Sequence, residues 1–491
     1  MTSFAERCGV HDAPRAAACA QAAALLHEGR FERVRIAWCD LHGVLRGKTL
    51  MPAAAAESLT DGVGMVSTLM LKDSSDRTAY PVFEAGALDG LPGFGFANNL
   101  MLLPDPSSLC ELPWAGGTGW MRAQPWFADG AAVAIDSRHA LQRALAALAA
   151  TGHGLRCGLE VEFHIYRIDE AERLDPGLAA WPGAPPKVSL IHPGYKLLSE
   201  AWADRADEPL RIVQHTALGL GLPLRSLEIE LGPSQVEAVF DATDALSAAD
   251  QMVRFRNGVK QALRRAGYHA TFMCRPPFAN VMASGWHLHQ SLTDLSSGRN
   301  AMQREAPAPG TTPDDATHLL SDIGAQYLAG LLAHAPGATV FGSTTVNAFG
   351  RFRPNAMAPM AVQWGVDHRG AMLRMLGGAG DRATRIENRI GEPMANPYLY
   401  IASQIHSGLD GIRRQLAPAP ATHAPYAGQD RLLPMSLGAA LQALSDDAVL
   451  VQAFGADLVA WLQRLKRSEL ARFDAAEDKD EWQRHEYFSR Y

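Results

Sequence analysis

The sequence lacks the marks of secreted, membrane-spanning and nucleic-acid-binding chains. It opens Met-Thr-Ser-Phe-Ala-Glu-Arg-Cys-Gly-Val, with no basic end followed by an apolar stretch, so a signal peptide is not expected. No run of about 18 apolar residues occurs, so no transmembrane helix is expected either. Cysteine is scarce and scattered: Cys8, Cys19, Cys39, Cys110, Cys157 and Cys274 include no Cys-x-x-Cys pair. That argues against a disulfide framework or a cysteine zinc site, and for reduced thiols in the cytoplasm. Positive charge is not in excess. Lys+Arg total 45 against 52 Asp+Glu, a net −7, which excludes a generally basic nucleic-acid binder but not a local basic pocket. What is there is ordinary for a globular chain: 47% hydrophobic and 20% charged residues over 491 positions. A core of native size is available, and the length suggests about two to four domains, or one small and one large.

No internal repeat is present. Residues 12–29 are Ala-rich and read as a helix; Phe-Glu-Arg-Val-Arg-Ile-Ala-Trp-Cys-Asp then alternates like a strand. Residues 60–120 are rich in Gly and Pro with short apolar runs, the pattern of small strands and long connections. Beyond a boundary near residue 125, strands and helices alternate. Ser137 reads as an N-cap, and 158–166, 226–231 and 269–273 read as strands. Helices are expected at about 207–218, 244–266 and 314–334, the last stopping before Gly337. Asn396-Pro397 caps a further helix. Pro-rich stretches at 176–187, 304–313 and 416–425 read as loops. The expected class is α+β: a small, mostly β unit over 1–125 and a large unit of sheet and helices over 126–491.

Four segments carry chemistry. In Gly158-Leu-Glu-Val-Glu-Phe, side chains two apart share a strand face, so Glu160 and Glu162 project together. Two adjacent carboxylates repel and call for cations or protons, and hard divalent ions satisfy them with oxygen ligands. A solvent-facing strand edge is the plainer alternative. Glu228 and Glu230 again share a face, and Gly232-Pro233 makes a turn that can return Glu237 beside Glu230. In Gly285-Trp-His287-Leu-His289-Gln-Ser291 the three polar side chains point one way. Such a strand can hold a metal and an anion, or simply two hydrogen-bonded histidines. Arg385-Ile-Glu387-Asn-Arg389 places two guanidinium groups around a carboxylate, which a salt-bridge ladder would also explain. Arg351, Arg353, Arg369, Arg374, Arg382, Arg385 and Arg389 crowd one stretch. Arginine suits bidentate binding of carboxylate and phosphate, although any single one, Arg353 above all, can be an inconsequential surface pair. Gly43-Val-Leu-Arg-Gly47-Lys48-Thr49 has one residue too few between its glycines for a P-loop. Gly219-Leu-Gly221 reads as a helix stop.

Taken together the motifs resemble those of the glutamine synthetase superfamily. The resemblance runs from about residue 31 to the C-terminus, through AWCDLHGVLRGK, GLEVEF, EIELGPSQVE, SGWHLHQSL, NAFGRFRPNAMAP, RIENR and ANPYLYIASQI in the family's order. It implies a small β-grasp-like domain, and a catalytic domain with a curved antiparallel sheet flanked by helices. It implies two or three Mg²⁺ or Mn²⁺ ions and ATP as co-substrate. By motif match, Glu162, Glu230 and Glu237 would hold one ion, and Glu160, His287 and Glu387 another. Arg351 and Arg389 would clamp glutamate, with Gly285 in the glutamate-positioning loop. His289, Ser291, Arg369, Arg374, Arg382 and Arg385 would lie on the nucleotide side, Arg369 with a catalytic role. Asp40 would reach into a neighbouring subunit's site, which implies a homo-oligomer, typically of twelve subunits.

Departures from the family pattern bear on the substrate. Where the flap usually carries Glu in a Glu-Ala-Pro run, Met357-Ala358-Pro359 stands, and Met cannot take a proton. Met282-Ala-Ser-Gly285 replaces Asn-Gly-Ser-Gly. Glu228 occupies a position often held by His, and could attract a cationic amine or act in proton transfer. Arg275 and Arg382 stand where Lys is common, and residues 430–434 lack the tyrosine of the adenylylation loop. The expected activity is ATP-dependent ligation of glutamate's γ-carboxylate to an organic amine through a γ-glutamyl phosphate. The alternatives are a glutamine synthetase using ammonia and a non-catalytic ring.

Overall fold

A computed structural model describes residues 2–95, 97–169, 179–354, 358–427 and 430–491. The chain is α+β, built on two sheets. The first comprises β1 (Arg33–Cys39), β2 (Leu45–Leu50), β3 (Val63–Val66), β4 (Asn99–Pro104), β5 (Cys110–Glu111) and β6 (Thr118–Trp126), in the order β2-β1-β6-β4-β3 with β5 beside β6. Among the described residues only its β1–β6 pairing is parallel. The helix Ala13–His27 precedes it, with Asp12 accepting from the Arg15 N–H as N-cap and Pro14 in the first turn.

The second sheet comprises β7 (His153–Ile168), β8 (Val188–Leu190), β9 (Leu224–Ile229), β10 (Gln235–Asp244), β11 (Tyr268–Thr271), β12 (Trp286–Asp294), β13 (Trp364–Val366), β14 (Leu373–Leu376) and β15 (Arg385–Gly391). Its order is β13-β14-β15-β12-β7-β10-β9, with β8 and β11 on the far end of β7. The pairings are antiparallel except β13–β14. The central strand β7 alternates. Leu159, Val161 and Phe163 are fully buried, and Phe163 stacks on Phe272 and meets Phe255 of the helix Ala245–Arg265 edge-on. One face of the sheet is thus apolar core, and the opposite face is left to the acids.

Differences from the sequence expectations have identifiable causes. The N-cap of the helix Ser137–Ala149 is Asp136, whose carboxylate accepts from the His139 N–H; Ser137 is its first residue. The expected helix over 314–334 is two, Ala316–Leu319 and Asp322–Ala333. Leu320 is extended, and Ser321 caps the second through the Gly324 N–H. Gly337 lies inside the helix Ala335–Gly342, where a Cβ would fall 2.8 Å from Asp447; it serves close packing, not termination. Asn396 caps the helix Pro397–Arg414 as expected. The Pro-rich stretches at 304–313 and 416–425, and the described part of 176–187, contain no helix or strand. Among the described residues no helix is long and apolar enough to cross a membrane.

Polar ties bind the first sheet's loops to later helices. Arg472 is the hub of one, paired with Asp73 at 3.1 Å and Glu486 at 2.7 Å. Another ties helices together: His334 Nδ1 lies 2.8 Å from Asp447 and Nε2 2.8 Å from Asp410, which also accepts from Arg414 at 2.9 Å. Burial lowers the His334 pKa, but the two carboxylates outweigh it and raise it above 6.5. A raised folded-state value means that this bridge stabilises fully below the unfolded pKa and fades as pH climbs through the folded one. Replacing His334 with Gln should therefore lower stability by about 1 kcal/mol at about pH 6 and by less at about pH 9, read by thermal unfolding of both proteins at each pH.

Candidate active site

Register brings the acids together. Glu237 on β10 sits opposite Glu162 on β7 and, on its other side, opposite Glu228 on β9. One step along, Glu160 faces His287 on β12. Another step on, His289 faces Glu387 on β15, and Glu387 faces Arg374 on β14. The rows descend diagonally across the sheet, a consequence of the period-2 alternation in each strand. β9 ends at Ile229, so Glu230 lies just beyond it, in a turn closed by its N–H donating to the Gln235 carbonyl at 3.0 Å.

Among the described residues, three sets have donor atoms that within each set all lie within 4.8 Å of one another: Glu162, Glu230 and Glu237; Glu160, Glu237 and His287; and Glu160, His289 and Glu387. His289 Nε2 is 2.8 Å and His287 Nδ1 3.4 Å from Glu160, and His287 Nδ1 is 3.8 Å from Glu387. Burial, followed by the charges of Glu160, Glu162, Glu230 and Glu228, pushes the Glu237 carboxyl up to about 10. Burial and Glu230 push Glu162 up to about 8. Burial also raises Glu230. Glu160 and Glu387 go the other way: burial opposes ionisation, but the two histidines, with Arg389 at Glu387, hold both below the usual carboxylate range. Three crowded carboxylates that all resist ionisation are a site short of positive charge. Oxygen-only donors at one end and mixed oxygen–imidazole donors at the other suit hard divalent cations.

The arginines divide. Arg374 donates to Glu387 at 3.0 Å and also pairs with Asp367; Arg389 pairs with Glu387; Arg385 Nε donates to His289 Nδ1 at 3.1 Å. Arg351 is buried and directs its donors to the carbonyls of Arg389, Ile390 and Gly391, at 2.8–3.1 Å. From there its charge acts on Glu162. Arg369 and Arg382 are exposed, and the charge of Arg369 acts on Asp367 beside Arg374. Ser291 is half-buried on β12 on the face of His287 and His289. Glu228 accepts from the Ser226 hydroxyl at 2.9 Å. Asp40 is buried elsewhere. Its carboxylate accepts from the backbone of His42 and Val44 at 2.9 and 3.0 Å and from Arg46 Nε at 2.7 Å, while Asn396 bonds its carbonyl. Within one chain it is a turn-forming residue. Met357 lies outside the described residues.

Two contributors carry no charge signal. The buried Gln235 side chain donates to Glu162 at 3.2 Å and to the Ala283 carbonyl and Ser284 hydroxyl, so it ties β10 to the loop before β12. Gly285 donates its N–H to Glu162 at 2.8 Å. A Cβ there would lie 2.6 Å from Arg351 Nη2 and 3.1 Å from His287 Nε2. The only sequence signal for Gln235 is its place between Glu230 and Glu237.

Residues 134–486 match the family described as glutamine synthetase, catalytic domain. The chain belongs to the glutamine synthetase family. Among curated relatives, γ-glutamylanilide synthase of an Acinetobacter species is 37% identical over 475 residues, covering 93% of each chain. γ-Glutamylethanolamide synthetase GlnA4 of Streptomyces coelicolor is 29% identical, covering 92% of each. A solved structure described as apo GmaS without ligand superposes with a TM-score of 0.74 at 28% identity, covering 94% of this chain and 98% of that one. The α+β architecture of this glutamine synthetase family member thus extends over nearly its whole length.

Proposed function

We propose that this protein is an ATP-dependent ligase that joins the γ-carboxylate of glutamate to an organic amine. The convergence of Glu160, Glu162, Glu230, Glu237, His287 and Glu387 on one sheet face, facing arginines on β14 and β15, carries the reading. Named relatives that make a γ-glutamylanilide and a γ-glutamylethanolamide support it. In this reading residues 1–125 form the small unit and 126–491 the catalytic one, and the chain works as a homo-oligomer, twelve subunits being the size the family resemblance implies.

A carboxylate does not condense with an amine in water unless it is activated. Transfer of the ATP γ-phosphoryl group to glutamate gives γ-glutamyl phosphate, a good acyl donor. Glu162, Glu230 and Glu237 would hold one divalent cation, Mg²⁺ or Mn²⁺, and Glu160, His287 and Glu387 a second, with His289 adjacent. When bound, such ions neutralise charge on the transferring phosphoryl group. Arg389 and Arg351 bind glutamate's carboxylates. Arg374, Arg385, Arg382 and Arg369, with His289 and Ser291, face the nucleotide, and Gly285 leaves room for the substrate beside Arg351. Asp40 and Glu228 remain the proposed acids for handling the amine's proton, Asp40 only across a subunit boundary.

Phosphate release from ATP with Mg²⁺, glutamate and a panel of amines tests this reading. Organic amines should support turnover better than ammonium, and chelation should abolish it. Far better turnover with ammonium would make the protein a glutamine synthetase. Absence of ATP binding in calorimetry would make it non-catalytic.

A further inference from the structure

Asn347 is buried, and its side-chain amide is fully engaged. Its Oδ1 accepts from the Arg275 N–H at 2.7 Å. Its Nδ2 donates to the Arg275 carbonyl at 3.0 Å and to Gln483 Oε1 at 2.8 Å. The acceptor and both donors of a primary amide are thereby used. The backbone it meets fixes its orientation, since an N–H calls for the amide oxygen and a carbonyl for the amide nitrogen.

This one side chain joins two halves of the site. Asn347 immediately precedes the 3₁₀ turn Ala348–Arg351, which carries Arg351. The stretch leading into it is pinned, because the Glu392 carboxylate accepts from the Thr344 and Thr345 N–H groups at 2.7 and 2.8 Å and from the Thr345 hydroxyl at 2.9 Å. Arg275, on the other side, opens the loop that ends at Gly285. The Ser284 N–H closes the base of that loop on the Cys274 carbonyl at 2.7 Å, and the Cys274 thiol donates to the Ser284 carbonyl at 3.3 Å. Between the loop end and Arg351 there is no slack, as a Cβ on Gly285 would lie 2.6 Å from Arg351 Nη2. The stretch 483–488 braces the same loop twice. Phe488 meets Phe278 edge-on at 5.4 Å, and Gln483, at the end of the helix Lys479–Gln483, reaches it through Asn347.

We propose that Asn347 is a positioning residue for glutamate: its amide sets the loop ending at Gly285 against the turn carrying Arg351, and passes the hold of Gln483 on to both. The inference rests on the ligase reading above, in which Arg351 binds a glutamate carboxylate, and adds to it a residue that acts through its neighbours. No other side chain of this size does the same. Aspartate would set an oxygen against the Arg275 carbonyl, and leucine offers neither donor nor acceptor. With the turn pinned by Glu392, loss of the amide frees the loop and not Arg351. The nucleotide side has separate restraints, Arg374 on Asp367 at 2.9 Å and Arg385 on His289 at 3.1 Å. The effect therefore falls on glutamate and spares ATP.

Phosphate-release kinetics on the full chain test this, with Mg²⁺ and whichever amine, or ammonium, the unaltered protein uses best. The variants are Asn347→Ala, Gln483→Leu and the two combined, each also followed by thermal unfolding. Asn347→Ala should raise KM for glutamate by about tenfold or more and KM for ATP by less than about twofold. Gln483→Leu should raise KM for glutamate by about twofold, and that increment should vanish in the combined variant, because its route runs through Asn347. Should Asn347→Ala not fold, Gln483→Leu carries the same test through the split between the two substrates. A lowered Tm with both KM values unchanged, an equal rise for glutamate and ATP, or additive increments would make Asn347 a structural brace only and overturn the inference while the ligase reading stands. If the unaltered protein releases no phosphate with ammonium or any amine, both readings fall together.

Discussion

Replacing Glu237 with glutamine should cost about a thousandfold or more in ATP-dependent turnover while making the metal-free protein more stable. The two effects share a cause. Among the described residues Glu237 belongs to two of the three donor sets, so its loss weakens cation binding at the oxygen-only set and at the Glu160–His287 set beside it. Without a cation, the same carboxyl is buried among four other glutamates and its pKa is pushed up to about 10. An acid raised in the folded state destabilises progressively as pH rises from its unfolded value, because the unfolded chain ionises freely and the folded chain does not. At neutral pH that penalty is on the order of 2–3 kcal/mol for a group shifted this far. The glutamine variant should escape it, so its stability gain should be present at about pH 7 and absent near pH 4. Urea unfolding in EDTA measures the gain, and phosphate release with added Mg²⁺ measures the loss. Equal stability of the two proteins at neutral pH would show that the acids are not crowded as described.

A single methyl group at Gly285 should be nearly as damaging to activity. Gly285→Ala sets a Cβ 2.6 Å from the Arg351 guanidinium and 3.1 Å from His287 Nε2. Arg351 is held by three backbone carbonyls and has little freedom to retreat. The β7–β12 register fixes His287 opposite Glu160. Displacement approaching 1 Å of catalytic or binding groups typically costs about a hundredfold. The expected result is that scale of loss in kcat/KM for glutamate, with about 1–3 kcal/mol of destabilisation from overpacking. A variant that retains full activity would show that the turn can open without moving Arg351.

The parts of the site that could be read in advance are those set by strand alternation. Glu160 with Glu162, His287 with His289, and Arg385 with Glu387 and Arg389 each needed only the rule that neighbours two apart share a face. The antiparallel return through Gly232-Pro233 likewise placed Glu237 beside the earlier acids. What lay beyond reach depended on tertiary packing. Motif similarity singles out Asp40 for a neighbouring subunit's site; within its own chain its carboxylate accepts from Arg46 and two backbone N–H groups. Arg369 and Arg382 share the composition of the buried arginines, yet are exposed in loops. Gln235 is uncharged, and its importance appears only when its amide reaches Glu162 and Ser284 at once. The split at Leu320 and the interior Gly337 follow from neighbours distant in sequence, not from the apolar periodicity that read 314–334 as continuous.

The strand order β15-β12-β7-β10-β9 places no complete donor set on one hairpin. The set that joins Glu160, His289 and Glu387 draws on chain segments more than 200 residues apart. An unfolded chain, or one arrested with only its first strands assembled, therefore has no complete donor set with which to chelate. Cation affinity arises late, with long-range closure of the sheet. From then on, each bound ion selects the native ensemble alone and deepens it by mass action.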